Sequence, residues 1–145
     1  MINIELFNLA VAEVLGECYE NFPERINLKE SDIAYKVLEY YSDDILEKHP
    51  DFMDKLFGIS SATVAWLEQA GFIWVESRDL RDFYRVTLSS KGLELLNLVP
   101  NSITNKESIG ASFINGAKSV GKDAVLSAIK LVLSEGAKLT IKGGI

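Results

Sequence analysis

The sequence predicts a mostly helical α+β fold, a single domain carrying a helical appendage, and three observations lead there. Apolar residues recur at helical spacing through most of the stretch from Leu6 to Leu67. Two short runs rich in β-branched and aromatic side chains, Phe72-Ile73-Trp74-Val75 and Phe83-Tyr84-Arg85-Val86-Thr87-Leu88, flank a polar tip from Ser77 to Asp82, the pattern of a hairpin. After Pro100 the composition turns from Glu-rich to Gly/Ala/Lys-rich, with the polar run Asn101-Ser102-Ile103-Thr104-Asn105 as the joint. Residues 1–100 are therefore read as the domain and 101–145 as a basic appendage. With 145 residues, 48% of them hydrophobic and 25% charged, a core forms without staples and wholesale disorder is excluded.

The first helix runs from Glu5 to Tyr19, with Leu6, Leu9, Ala10, Val14 and Leu15 as its apolar stripe and Glu13, Glu17 and Glu20 away from it. Phe22-Pro23 ends it. Ser31 or Asp32 is the expected cap of a second helix through Ile33, Ala34, Val37, Leu38 and Tyr41. Between Ser42 and Phe57 a short helix is expected from about Pro50, since proline is tolerated in a first turn. Ser60 or Ser61 then caps a helix through Val64, Leu67 and Ala70, closed by a left-handed Gly71. The two strands follow. Ser89 caps a further helix that buries Leu93, Leu96 and Val99 before Pro100 stops it.

Helix, helix, a Ser-capped helix ending in Gly71-Phe72-Ile73, a hairpin and the run Leu88-Ser89-Ser90-Lys91-Gly92-Leu93-Glu94-Leu95-Leu96 together resemble the winged helix-turn-helix superfamily. The resemblance covers roughly residues 5–99 and points to no subfamily. It implies a two-stranded wing from Ile73 to Val86 and a recognition helix from Ser60 to Ala70, with residues 42–59 as an insertion. It also implies a non-catalytic, cytoplasmic binding module akin to transcriptional regulators, meeting double-stranded DNA as a homodimer. Ser61, Thr63, Gln69, Arg78, Arg81 and Arg85 are the DNA-facing candidates.

Charge argues against a simple inheritance of that role. The net charge is −6, and no Lys or Arg lies between Lys55 and Arg78, where a groove-reading helix needs cations for phosphates. Asp79 and Asp82 sit among the wing arginines, which makes solvated charge pairs the plain expectation there. Residues 1–57 carry 5 Lys/Arg against 13 Asp/Glu, and residues 101–145 carry 6 against 3. A protein-protein adaptor is thus the alternative, using Trp66 and the insertion around Phe52.

In the appendage, Gly110, Ile114, Ala117, Gly121, Ala124, Ala128 and Leu131 follow heptad spacing if residues 106–135 form one helix. Such a helix packs on the domain or pairs with its twin, with Phe113, Ala117, Val120, Gly121, Ala124, Ala128 and Leu131 as the oligomerisation surface. A membrane-surface role is the sharper alternative, given Lys106, Lys118, Lys122, Lys130 and Lys138 beside Phe113. Insertion across a bilayer is opposed by the charges within the span. Leu139 and Ile141 alternate with polar residues and allow a short edge strand; Gly143-Gly144-Ile145 is expected to fray. The chain start lacks the basic region of a secretory signal, so a cytoplasmic address is expected.

Nothing in the pattern requires a cofactor or a metal. The lone cysteine, Cys18, falls on the first helix as a buried, inert thiol, and the lone histidine, His49, belongs to a charged loop. Neither a dinucleotide fingerprint nor a P-loop occurs.

Overall fold

A computed structural model describes the backbone of residues 2–98 and 108–143, and the side chains of all of these except 119 and 139–143. The described residues are mostly helical with one small antiparallel sheet, an α+β arrangement. Helix α1 spans Ile2–Asn21 and is apolar around most of its circumference. It is accordingly the central helix: Leu6, Leu9, Val14 and Leu15 are fully buried, and so are Val11 and Ala12, which lie off the predicted stripe. Their cover comes from α2 (Glu30–Leu38), α4 (Phe52–Gln69), α6 (Ile109–Phe113) and α8 (Lys122–Gly143), each of which contacts α1. Glu13, expected to face solvent, is buried on α1 and accepts a hydrogen bond from Tyr40 Oη at 2.8 Å.

Helix α2 begins at Glu30, ahead of the predicted Ser31 or Asp32 cap, and buries Ile33, Ala34 and Val37 as expected. The stretch 42–59 does not hold the separate helix expected from about Pro50. It supplies α3 (Ile45–Lys48) and the first turns of α4, which runs without a break through Ser60. Ser60 and Ser61 are therefore not caps. Phe52, Leu56, Ser60, Thr63, Val64 and Leu67 form one continuous buried stripe, and Ser60 Oγ donates to the Leu56 carbonyl at 2.7 Å instead of starting a helix. Phe52, expected on a recognition surface, is 3% exposed and belongs to the core. Helix α4 closes as predicted. Gly71 adopts φ +85°, and the Phe72 and Gly71 amides donate to the Leu67 and Glu68 carbonyls, a Schellman ending that needs the left-handed glycine.

The predicted hairpin pairs as β2 (Ile73–Arg78) with β3 (Phe83–Leu88), and a third strand, β1 (Ile26–Leu28), adds to the other edge of β3. At Arg85, whose φ is +53°, the β1–β3 register shifts, so that the stretch holding Tyr84 and Arg85 passes Asn27 as a bulge. Asn27 Oδ1 accepts from the Arg85 amide at 3.1 Å, and the Arg85 carbonyl accepts from Arg25 Nη1 at 2.9 Å. Ser89 caps α5 (Ser90–Leu96) by accepting from the Gly92 amide, and donates to the Gly71 carbonyl at 2.6 Å. Leu95 and Leu96 are buried there, Leu93 only half so, while Val99, Pro100, the joint at 101–105 and Lys106 lie outside the described residues.

Among the described residues the tail is three helices rather than one. After α6 the chain turns at Asn115, in the left-handed region at φ +54°, into α7 (Gly116–Ser119), and Gly121 at φ +85° leads into α8. These breaks reset the helical phase, so the heptad seam does not become the buried face. Val125, Ile129 and Val132, expected to widen the apolar face beside the seam, are the fully buried ones, whereas Ala124 is exposed and Ala117, Val120, Gly121, Ala128 and Leu131 are half-buried. Phe113, 1% exposed, lies in the same core cluster as α1 and is withdrawn from any intermolecular surface. Two glycines permit the approach. A Cβ on Gly16 would meet the Phe113 carbonyl oxygen at 2.9 Å, and one on Gly110 would meet the Tyr19 ring at 2.6 Å. Helix α8 continues to Gly143, so the backbone at Leu139 and Ile141 is helical rather than an edge strand; Gly144 and Ile145 lie outside the described residues. Among the described residues no helix is long and apolar enough to cross a membrane.

Candidate interaction face

Opposite its buried stripe, α4 presents Asp54, Lys55, Gly58, Ala62, Trp66 and Gln69 to solvent, with Ser61 and Ala65 half-buried beside them. Trp66 dominates this face. It is 42% exposed, meets Phe7 edge-on with ring centroids 5.2 Å apart, and stacks towards Phe72 at 6.3 Å. The three rings line a groove of about 480 Å³ whose other wall is Leu133, Gly136 and Ala137 of α8. Lys91 closes one end, its ammonium donating to the Ala70 carbonyl at 2.8 Å and lying 4.5 Å from the Phe72 ring centre. Burial pushes the Lys91 pKa down.

Of the predicted contact residues on α4, Gln69 and Trp66 are exposed and Ser61 is half-buried, but Thr63 is not on this face. At 1% exposure it lies in the buried stripe, its Oγ1 donating to the Ile59 carbonyl at 2.7 Å. A DNA-facing role for Thr63 is thereby ruled out on geometry.

Arg78, Arg81 and Arg85 are exposed, yet the carboxylates that meet Arg78 and Arg85 are not the expected ones. Arg78 pairs with Glu68 of α4 and lies 5.3 Å from the Phe83 ring centre; Arg85 Nε pairs with Glu76 Oε2 at 3.0 Å across the hairpin. Asp79 serves the backbone: it accepts from the Arg81 and Asp82 amides at 2.9 and 2.8 Å and from Tyr84 Oη at 2.6 Å. Those three donors, the Tyr84 hydroxyl first, hold its carboxyl at about 2. Asp82 Oδ1 accepts from the Glu30 amide at 3.1 Å. Arg81 has no ion pair among the described residues; it borders a concavity shared with Glu30, Ser31, Phe57 and Asp82. Beside it Leu80 lies at the hairpin tip, 96% exposed.

Cys18 is 1% exposed, and burial pushes its thiol up to about 12. His49 is exposed in the turn before α4. Among the described residues no group of three or more His, Cys, Asp or Glu side chains is arranged to hold a metal. Trp74 is 53% exposed on β2, on the opposite side of the sheet from the buried Ile73.

The aromatic row was only half visible in the sequence. Phe7 lies off the main stripe of α1, and an off-stripe aromatic on an otherwise buried helix is a sign of a second packing surface. No protein-family model, no curated protein and no solved structure matches the chain.

Proposed function

We propose that residues 2–98 form a non-catalytic winged helix-turn-helix module that binds a protein, and not DNA, through the outward face of α4. Support for the winged-helix reading comes from the order helix, strand, helix, helix, strand, strand, with the late hairpin contributing the central strand in the sheet order β1-β3-β2. The intervening α3 is the departure from that order.

One observation carries the choice of partner: near its C-terminal end the α4 face carries a half-exposed tryptophan one turn from Ala62, and no Lys or Arg lies in the sequence between Lys55 and Arg78. Tryptophan in an apolar groove is the residue type that concentrates binding energy at protein interfaces. A phosphate backbone, in contrast, needs cations, and here Glu68 and Glu76 occupy Arg78 and Arg85 while the wing tip ends in Leu80. A cytoplasmic site of action and a lack of cofactor belong to the same proposal.

The test is titration of a fluorescent mixed-sequence duplex at low salt. No anisotropy change up to micromolar protein is expected. Binding that falls steeply with salt and weakens on combining Arg81→Ala with Arg85→Ala would restore the DNA regulator.

A further inference from the structure

A second groove lies at the junction of α2, α3 and α7, and it differs in character from the one beside Trp66. Its volume is about 490 Å³, and Tyr35, Leu38, Ile45 and Leu46 form its apolar part. Tyr35 and Leu46 are 56% and 40% exposed, which is unusual for side chains of their size. Glu39 and Asp43 stand on the same groove, both exposed, and neither has an ion pair among the described residues. Lys118 is the one cation on its lining.

The stretch of chain from Asp32 to Asp54 is predominantly acidic. Asp32, Glu47, Asp51 and Asp54 are exposed in the same stretch of chain, again without ion pairs among the described residues, whereas Lys36 and Lys48 are engaged by Glu17 and Asp44. Glu39 is also badly placed for folding alone. It is the C-cap of α2, where the helix dipole disfavours a carboxylate, and its charge helps to raise the pKa of Glu13 and Tyr40. A carboxylate that costs the fold something, at the mouth of an apolar groove, is matched by a positively charged partner.

We infer that this groove docks a basic amphipathic helix of another protein, its apolar side chains seated on Tyr35, Leu38 and Leu46 and its Lys or Arg residues facing Glu39 and Asp43. The surface is distinct from the α4 face, and the inference stands without the reading given to that face. Charge steers the encounter and the apolar seats hold it, so both contributions are separable.

The probe is a fluorescein-labelled helical peptide of Leu and Lys with leucines at i, i+3, i+4 and i+7, and its Leu/Glu counterpart is the control. The full chain should bind the first with an affinity that falls as salt rises, and should not bind the second. Glu39→Lys combined with Asp43→Lys should weaken binding by about tenfold or more and flatten the salt dependence. The same variant should melt no lower than the parent, because Glu39→Lys relieves the α2 terminus. Tyr35→Ala with Leu46→Ala should weaken binding while leaving the salt slope in place. Absence of binding to the Leu/Lys peptide, or equal affinity in the charge-reversed variant, overturns the inference. So does a parent chain that sediments as a dimer which the charge reversal dissociates, since the occupant would then be a second copy.

Discussion

Phe113→Ala is the perturbation that separates a tail built into the core from a tail appended to it. Phe113 is 1% exposed, and its backbone lies against Gly16 of α1. Truncating a fully buried phenylalanine costs about 3–5 kcal/mol, the lost transfer of the ring plus the cavity left behind. Set against the roughly 5–15 kcal/mol that holds a domain of ordinary size together, that is a large fraction. At about 2–4 °C per kcal/mol for a chain of this length, the melting midpoint should fall by roughly 6–20 °C. Urea unfolding followed by far-ultraviolet circular dichroism and by tryptophan fluorescence is the assay. The parent should unfold in one transition that coincides by both probes, and the variant should shift the midpoint with an unchanged slope. Gly16→Ala attacks the same contact from α1, where the added methyl meets the Phe113 backbone; overpacking of this kind costs about 1–3 kcal/mol, and the two changes should not add. An early, separate transition in the parent, or a Phe113→Ala midpoint within experimental error of the parent, would refute the shared core.

Three further outcomes follow from the same geometry. Burial raises the Glu13 pKa in the folded chain, so what this group contributes to stability is present below the ordinary carboxylate range and is lost as pH climbs through the raised value. Glu13→Gln retains an acceptor for Tyr40 without a buried charge; its midpoint should equal or exceed the parent's at neutral pH, and the gain should shrink on acidification. Asp79 works in the opposite sense: with its carboxyl held at about 2, its contribution is present above 3.8 and is lost as pH falls towards 2. Asp79→Asn should abolish that dependence at the wing tip, read from the Tyr84 ring resonances. Because the tail's fully buried face is used within the chain, sedimentation at micromolar concentration should return a monomer. A dimer dissociated by Ala124→Glu with Ala128→Glu would reinstate the heptad seam.

The sequence was most legible where one residue type answers one local need. Gly71 and Ser89 were read as helix punctuation because a left-handed turn and an orphan amide each demand a specific chemistry, and both positions behave so. The β-branched and aromatic runs that became β2 and β3 were equally plain. Strand β1 was not read, since three residues after a proline carry too little pattern to register. Ser60 misled because a serine can cap a helix or bond back to the carbonyl four residues earlier, and only the buried stripe from Phe52 to Leu67 decides between them. In the tail, Asn115 and Gly121 each turn the chain into a left-handed residue, and a heptad count carried across them loses its phase. The candidate face suffered from the same limit. That Trp66 is accessible beside Phe7 depends on α1 and α4, far apart in the chain, coming together, and that Glu68 meets Arg78 depends on how the turn at Gly71 lays β2 beside the end of α4.

A photoreactive amino acid placed at Ala62, one turn from Trp66 on the exposed face of α4, tests the central claim most directly. Irradiated in cells, it should yield discrete adducts that resist nuclease, yield to protease and disappear when Trp66→Ala is added. Adducts destroyed by nuclease would put nucleic acid on that face and contradict the account.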